Sequence, residues 1–367
     1  MTPFLKKLLK LNWILLILMI ALSIFGVFAI YSATWMMPGK IFWKLQAAYF
    51  GIALIIFFVT AMVDYRWVRW GALPIYLISV VCLVATLVLG RKVYGAKSWI
   101  QIGPINFQPS MVAVIACILV VALFLSEFRK MHPFLRIILC GAIVGAPMLL
   151  VLIQPDLGAV IVYLPILLGM WFIANIPLRY LVAILLLVIA MIPLVTYFGL
   201  KEYQRARITT FLNPNVDPLG DAWTINRSMD AIGSGGWSGK GFKSADSLNE
   251  LGLLPSTIVH NDFIFSVIGE QHGFVGGCVL LGSFAVLLLT GLYIIYHAAD
   301  ELGKLIGVGV VMLIFTHIFM NTGMTISLTP ITGLPLPLIS YGGSFVLVVV
   351  FGLGLLQSIW IHRRQLR

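Results

Sequence analysis

Ten stretches of the 367-residue chain run for about twenty residues with almost no charge, and that feature decides the solvent. They lie near 12–32, 43–63, 72–90, 110–126, 134–153, 157–175, 180–199, 263–296, 304–325 and 343–361. Hydrocarbon admits only helices that satisfy their own backbone, or closed barrels, and these runs are too long and uniformly apolar for barrel strands. The expected fold is therefore all-α, a polytopic membrane protein of about ten transmembrane helices. Composition agrees: 61% of residues are hydrophobic and 10% charged, against about 25% charged in an ordinary soluble domain. That balance excludes a soluble enzyme, a disordered chain and a nucleic-acid reader. Residues 1–367 read as one continuous bundle, and the first run, too long for a signal-peptide core, as a retained span.

Ten spans place both termini on one side. That side's short segments hold Lys6, Lys7, Lys10, Arg66, Arg69, Arg129, Lys130, Arg136, Arg179, Lys304, Arg363, Arg364 and Arg367. The opposite loops hold Lys40, Lys44, Arg91, Lys92 and Lys97. The bias puts both termini in the cytoplasm. The net charge of +11 then reads as cationic loops beside anionic membrane lipids, with no nucleic-acid partner implied. Cys82, Cys117, Cys140 and Cys278 sit in apolar runs with no paired spacing and read as small hydrophobes.

Residues 200–262 form one large extracytoplasmic loop, longer than a structureless connection usually is. Within it Ala222, Ile225, Met229 and Ile232 recur at helical spacing, which predicts a short amphipathic helix on the membrane surface. Of the thirteen carboxylates, Asp64, Glu127, Asp300 and Glu301 fall in cytoplasmic turns, and eight others lie outside. Acid–base chemistry is thus expected at the outer face. Asp262 ends the long loop, either as a helix N-cap or as a general base at the rim of a cavity. Glu270 lies within the eighth span, about 12 Å deeper and slightly over two turns on, so it points the same way as Asp262. An ionisable group there marks either a functional interior or a hydrogen-bonded structural site. Gln154-Pro155-Asp156 interrupts two apolar runs, and Asp156 could cap the next helix or line the cavity of Asp262.

Gly233 to Gly241 is rich in glycine but fits neither the dinucleotide fingerprint nor the Walker A template. A turn is one reading; a lipid phosphate held by Lys240 and free backbone N–H groups is the other. Arg205 and Arg207 follow the seventh span as loop charges or phosphate ligands. The last outer loop ends Ser340-Tyr341-Gly342, where prolines and glycines allow close backbone approach to a cavity. His317 and Asn321 are read as buried polar residues of the cytoplasmic half.

Several ordered runs carry a resemblance: Phe107-Gln108-Pro109-Ser110, Gln154-Pro155-Asp156-Leu157-Gly158, Tyr203-Gln204-Arg205, Asp217-Pro218-Leu219-Gly220, Ala231 to Gly236, Asp262-Phe263-Ile264-Phe265 and Ser340 to Ser344. Together they resemble the SEDS family (shape, elongation, division and sporulation) over nearly the whole chain, its elongation branch more than its division branch. The resemblance implies a peptidoglycan glycosyltransferase that polymerises lipid II, using undecaprenyl-diphosphate-linked glycan, outside the bacterial cytoplasmic membrane. It further implies a class B penicillin-binding protein as partner within the elongation machinery. The family's essential acid falls on Asp262; Gln154, Asp156, Arg205, Lys240, Glu270, Ser340, Tyr341 and Gly342 are substrate-binding candidates. No cofactor is fixed by the sequence, a divalent cation (Mg or Mn) being the one the chemistry could use, and its ligands are unknown. The sequence departs from the family at Met111 and Val114, where a Glu and a Lys are usual, and in the longer, acid-poor run from Leu254 to Asn261. A lipid II flippase and a non-catalytic scaffold that activates the penicillin-binding protein are the alternatives.

Overall fold

The computed structural model describes residues 7–37, 41–93, 96–102, 105–199, 202–213 and 221–363. Lys6, Lys40, Arg364, Arg367 and the run Asp217 to Gly220 lie outside them. The apolar runs become α1 (Trp13–Ala33), α2 (Phe42–Met62), α3 (Val68–Leu89), α4 (Pro109–Glu127), α5 (Pro133–Ile153), α6 (Leu157–Ile161), α7 (Tyr163–Ile173) and α8 (Leu178–Leu194). After a polar segment holding α9 (Glu202–Leu212) and α10 (Asp221–Ser234) come α11 (Ile264–Tyr296), α12 (Glu301–Thr325) and α13 (Gly343–Ile361). Among the described residues nine helices are long and apolar enough to cross a membrane, and the shorter apolar pair 157–173 supplies the tenth stretch.

Helix starts follow local chemistry. Pro109 and Pro133 open α4 and α5, where a missing N–H costs nothing. Asn12 and Asp300 cap α1 and α12 by accepting from Leu15 N and Gly303 N. Burial then sorts the bundle: the apolar 18-residue stretches of α4, α12 and α13 are 72%, 78% and 83% buried, and that of α8 only 6%. The first three form the centre, while α8 buries Leu181 alone and faces the surroundings along its length. At the end of the bundle away from Asp262, Asp300 accepts from Tyr65 Oη and Arg66 Nε, both at 2.9 Å.

Two features depart from the sequence reading. Between α3 and α4 the chain forms a small antiparallel sheet, β1 (Arg91–Val93), β2 (Ala96–Ile102) and β3 (Ile105–Phe107), in the order β1-β2-β3. Ile100 faces Phe107, and Ile102 faces Ile105. The predicted amphipathic helix exists as α10, and most of its apolar face packs on protein, Ile232 against the core, while Met229 stays 38% exposed. Ala222, Ile225 and Ala231 are buried, Ile225 clusters with Phe263, Met324 and Ile331, and Ser228 Oγ donates to Thr325 O at 2.7 Å.

Candidate active site

Asp262 lies in the turns that precede α11, its N–H on Ile258 O at 2.9 Å. The helix starts at Ile264 with Phe263 as cap residue and no side-chain cap, so the N-cap reading of Asp262 fails. Among the described residues its carboxylate accepts no hydrogen bond, although the side chain is half-buried. Burial pushes its pKa up to about 6; the nearby Asp156 carboxylate pushes the same way, and the Arg207 guanidinium opposes both. Asp156 also titrates above the usual carboxylate range because of burial, resisted by its bonds from Ala159 N (3.1 Å) and Gln108 Nε2 (3.2 Å) and by Arg207. Asp156, Arg207 and Asp262 thus share one electrostatic neighbourhood, and Asp156 caps α6 through its bond from Ala159 N.

The chain brings these groups together through the loop between α12 and α13. A Cβ on Gly158 would sit 2.3 Å from Thr332 O, so only glycine lets the start of α6 press against that loop. Arg207 Nη1 donates to Ile331 O of the same loop at 3.5 Å. Asn321 Nδ2, from α12, donates to both Asp262 O (2.9 Å) and Leu334 O (2.7 Å). Ser340 Oγ donates to Asn261 O at 2.5 Å, Tyr341 N to His260 O at 3.0 Å, and Gly342 N to Gln46 Oε1 at 3.2 Å. The Ser340-Tyr341-Gly342 run therefore positions the Asp262 turn. Phe42 stacks on His260 at 4.2 Å and meets the Tyr341 ring edge-on, closing the turn from the α2 side.

Other expected residues are used elsewhere. Glu270 is fully buried and does not share the surroundings of Asp262; helical spacing fails between them because residues 262 and 263 are not helical. Its carboxylate accepts from Lys240 Nζ (2.9 Å), Leu248 N (2.6 Å) and Ser234 Oγ (3.4 Å), which makes it the hub of the long loop before α11. Lys240 is thereby taken up by an ion pair. Nor are the N–H groups of Gly235, Gly236, Gly239, Lys240 and Gly241 free. At Gly273 (φ 64°) α11 breaks, and the run inserts there. Lys240 N and Gly241 N donate to Glu270 O and Gln271 O, while Phe274 N and Val275 N donate to Gly236 O and Trp237 O. The ammonium and the two amides that a phosphate would need at Lys240 and Gly241 are already bonded within the chain. Arg205 places Nε and Nη2 on Thr196 O (3.1 Å) and Tyr197 O (2.6 Å), closing the end of the α8 segment. Gln154 is buried with Nε2 on Leu83 O at 2.9 Å, tying α5 to α3. Met111 and Val114 are buried, 5% and 2% exposed, and pack in the apolar core.

His317 and Asn321 belong to the Asp262 end of α12, not to the other half: His317 Nδ1 lies 3.1 Å from Pro335 O. Sequence reasoning also passed over Gln46 and Gln108 as site residues. The signal was available for Gln46, a lone amide in an apolar span that needs buried partners.

The fold and site define a multi-pass membrane protein with a half-buried acid at one end of its bundle, beside an arginine. Comparison gives the family. Residues 7–365 match the Cell cycle protein family of FtsW, RodA and SpoVE, and the chain belongs to it. It is 35% identical to peptidoglycan glycosyltransferase MrdB of Escherichia coli K12, over 96% of this chain and 94% of that protein. It is 34% identical to peptidoglycan glycosyltransferase RodA of Treponema pallidum, over 97% and 98%. Among solved structures it is similar to a chain of a peptidoglycan synthase complex that coordinates polymerization and crosslinking (TM-score 0.81, 29% identity, 97% of this chain and 99% of that one). It also resembles the rod shape determining protein RodA of Thermus thermophilus (TM-score 0.71, 26% identity, 97% and 98%).

Proposed function

We propose that the chain is a peptidoglycan glycosyltransferase that polymerises lipid II at the outer face of the bacterial cytoplasmic membrane, for cell elongation and rod shape, with Asp262 as general base. The observation that carries the reading is the Asp262 carboxylate itself: half-buried, without a hydrogen-bond donor among the described residues, and beside a guanidinium. A pKa of about 6 leaves it ionised at neutral pH yet more basic than an ordinary aspartate, which suits proton abstraction. A hydroxyl of one lipid-linked saccharide attacks the anomeric carbon of another. As the new C–O bond forms, the bond to the diphosphate breaks, the leaving undecaprenyl diphosphate keeps the electron pair, and Asp262 takes the hydroxyl proton. Arg207 is the cation placed to offset the charge growing on the diphosphate.

Among the described residues no three His, Cys, Asp or Glu side chains form a metal-binding group. Asp156 is the carboxylate that would hold a Mg or Mn ion together with substrate diphosphate oxygens, since Asp262 cannot both coordinate the ion and take the hydroxyl proton; the ion would stabilise leaving-group charge. The partner is proposed to be a class B penicillin-binding protein, supported by the likeness to a chain of a synthase complex. The flippase alternative loses ground because His317 and Asn321 fall at the Asp262 end. Lipid II supplied to the purified complex tests the reading: Asp262→Ala is expected to yield no glycan strands, and strands at the parental rate would overturn it.

A further inference from the structure

At the end of α5 away from Asp156, about 30 Å along a 21-residue helix, a half-open cavity of about 570 Å³ has no part in the site described above. Arg129, Lys130, His132, Arg136, Asn175 and Glu301 line it. Arg129 is neutralised, its Nη2 lying 3.2 Å from Glu301 Oε2. Arg136 is not. It is 5% exposed, and among the described residues no carboxylate lies within ion-pair distance. Of the five N–H donors a guanidinium carries, Nη1 donates to Ala174 O (3.2 Å), Nη2 donates to Leu125 O (3.4 Å), and Nε is buried without a partner.

Those two carbonyls end α7 and α4, so part of the cationic charge meets helix C-termini. That accounts for two bonds and leaves a buried cation whose carboxylate neighbour in the cavity, Glu301, lies beyond ion-pair distance and is held by Arg129, an arrangement that is costly unless something negative completes it. Lys130 adds a second cation at the mouth, where it is exposed. Beside the mouth, Phe128 at the end of α4 is 46% exposed, and Phe134, Leu135 and Ile138 at the start of α5 are 55%, 44% and 48% exposed, which makes an apolar surface there. A cationic pocket beside an apolar surface matches a molecule with an anionic head and hydrocarbon tails.

We propose that this cavity binds a phosphate oxyanion, and that the phosphate is the headgroup of an anionic phospholipid whose tails lie along α5. The phosphate oxygens meet Arg136 and Lys130. The reading is independent of the glycosyltransferase assignment, because binding alone tests it.

The experiment titrates the full chain in neutral maltoside detergent with phosphatidylglycerol, with phosphatidylcholine of the same tails, and with inorganic phosphate, following the melting midpoint and counting bound lipid by native mass spectrometry. Phosphatidylglycerol is expected to raise the midpoint and phosphatidylcholine to leave it near the lipid-free value. Arg136→Gln is expected to weaken phosphatidylglycerol binding by about 10–100-fold, the loss of a charge-assisted hydrogen bond. Because Arg136 also joins α4 and α7, that variant could fail to fold. Lys130→Glu, on an exposed loop residue, then decides, with an expected loss of about tenfold. Equal shifts from phosphatidylglycerol and inorganic phosphate would keep the phosphate site and assign it to the free ion. Equal binding of the two lipids, or unaltered phosphatidylglycerol affinity in folded Arg136→Gln or in Lys130→Glu, would overturn the proposal.

Discussion

Asp262 carries a carboxylate that no donor among the described residues satisfies, and its ionisation answers to two neighbours of opposite sign. The pH dependence follows with a definite sense. With Asp262 as the proposed base, activity needs the anion, so the polymerisation rate is expected to fall with acid about a midpoint near pH 6. Replacing Arg207 with Gln removes the charge that lowers this pKa and should move the midpoint to higher pH; Asp156→Asn removes one that raises it and should move it lower. Rate profiles of the three proteins check both directions, and coincident profiles would remove Arg207 and Asp156 from the site. Stability runs the other way. A folded pKa above the unfolded value of 3.8 means the folded chain holds the proton more tightly, so this group's contribution falls as pH rises from about 4 to about 6. Asp262→Asn should therefore lose about 10²–10⁴-fold in rate while its melting midpoint at neutral pH holds or rises.

Among the elements, α11 shows what a sequence can and cannot display. An intramembrane Glu270 announces that it needs a partner, but nothing local says that the partner is Lys240, thirty positions earlier and brought in by a loop. Gly233 to Gly241 looked like a free cradle because glycine reports backbone freedom and not what fills it. The hub role makes a distinguishing prediction. Glu270→Gln should destabilise the folded chain by about 1–3 kcal/mol, read as a lower melting midpoint, because the bonds from Lys240 Nζ and Leu248 N weaken together. In the protein that remains folded, KM for lipid II should stay at the parental value; a selective rise in KM would restore Glu270 to substrate binding. The small sheet before α4 was legible in principle. Ile100-Gln101-Ile102 and Ile105-Asn106-Phe107 alternate about Gly103-Pro104, but the strands are too short to stand out beside helices of about twenty residues.

Across the whole molecule, the bilayer makes the span pattern readable, because each crossing must repeat the same apolar length. Every run read from sequence has its helix, down to the short pair 157–173. Depth is readable too: His317 and Asn321 lie 17 and 21 positions past the Asp300 cap, about 25 and 31 Å along α12, so position within the span, and not its apolar pattern, corrects the half read from sequence. Orientation rests on the lysine and arginine bias and can be checked directly. In a cysteine-free background, a single cysteine at Leu251, 59% exposed in the long loop, should react with an impermeant maleimide on intact cells. One at Lys130 should react only after lysis. The reverse pattern would invert the topology and place Asp262 with the cytoplasm.

The insertion of the Gly-rich run into the break of α11 ties two distant stretches by four bonds, two in each direction. Neither stretch can fray without exposing the amides of the other, so residues 240–241 and 274–275 should trade deuterium at one common rate. A protein built this way carries its outer loop as a splice in a membrane rod, and any force that bends the rod there is felt at once in the loop above it.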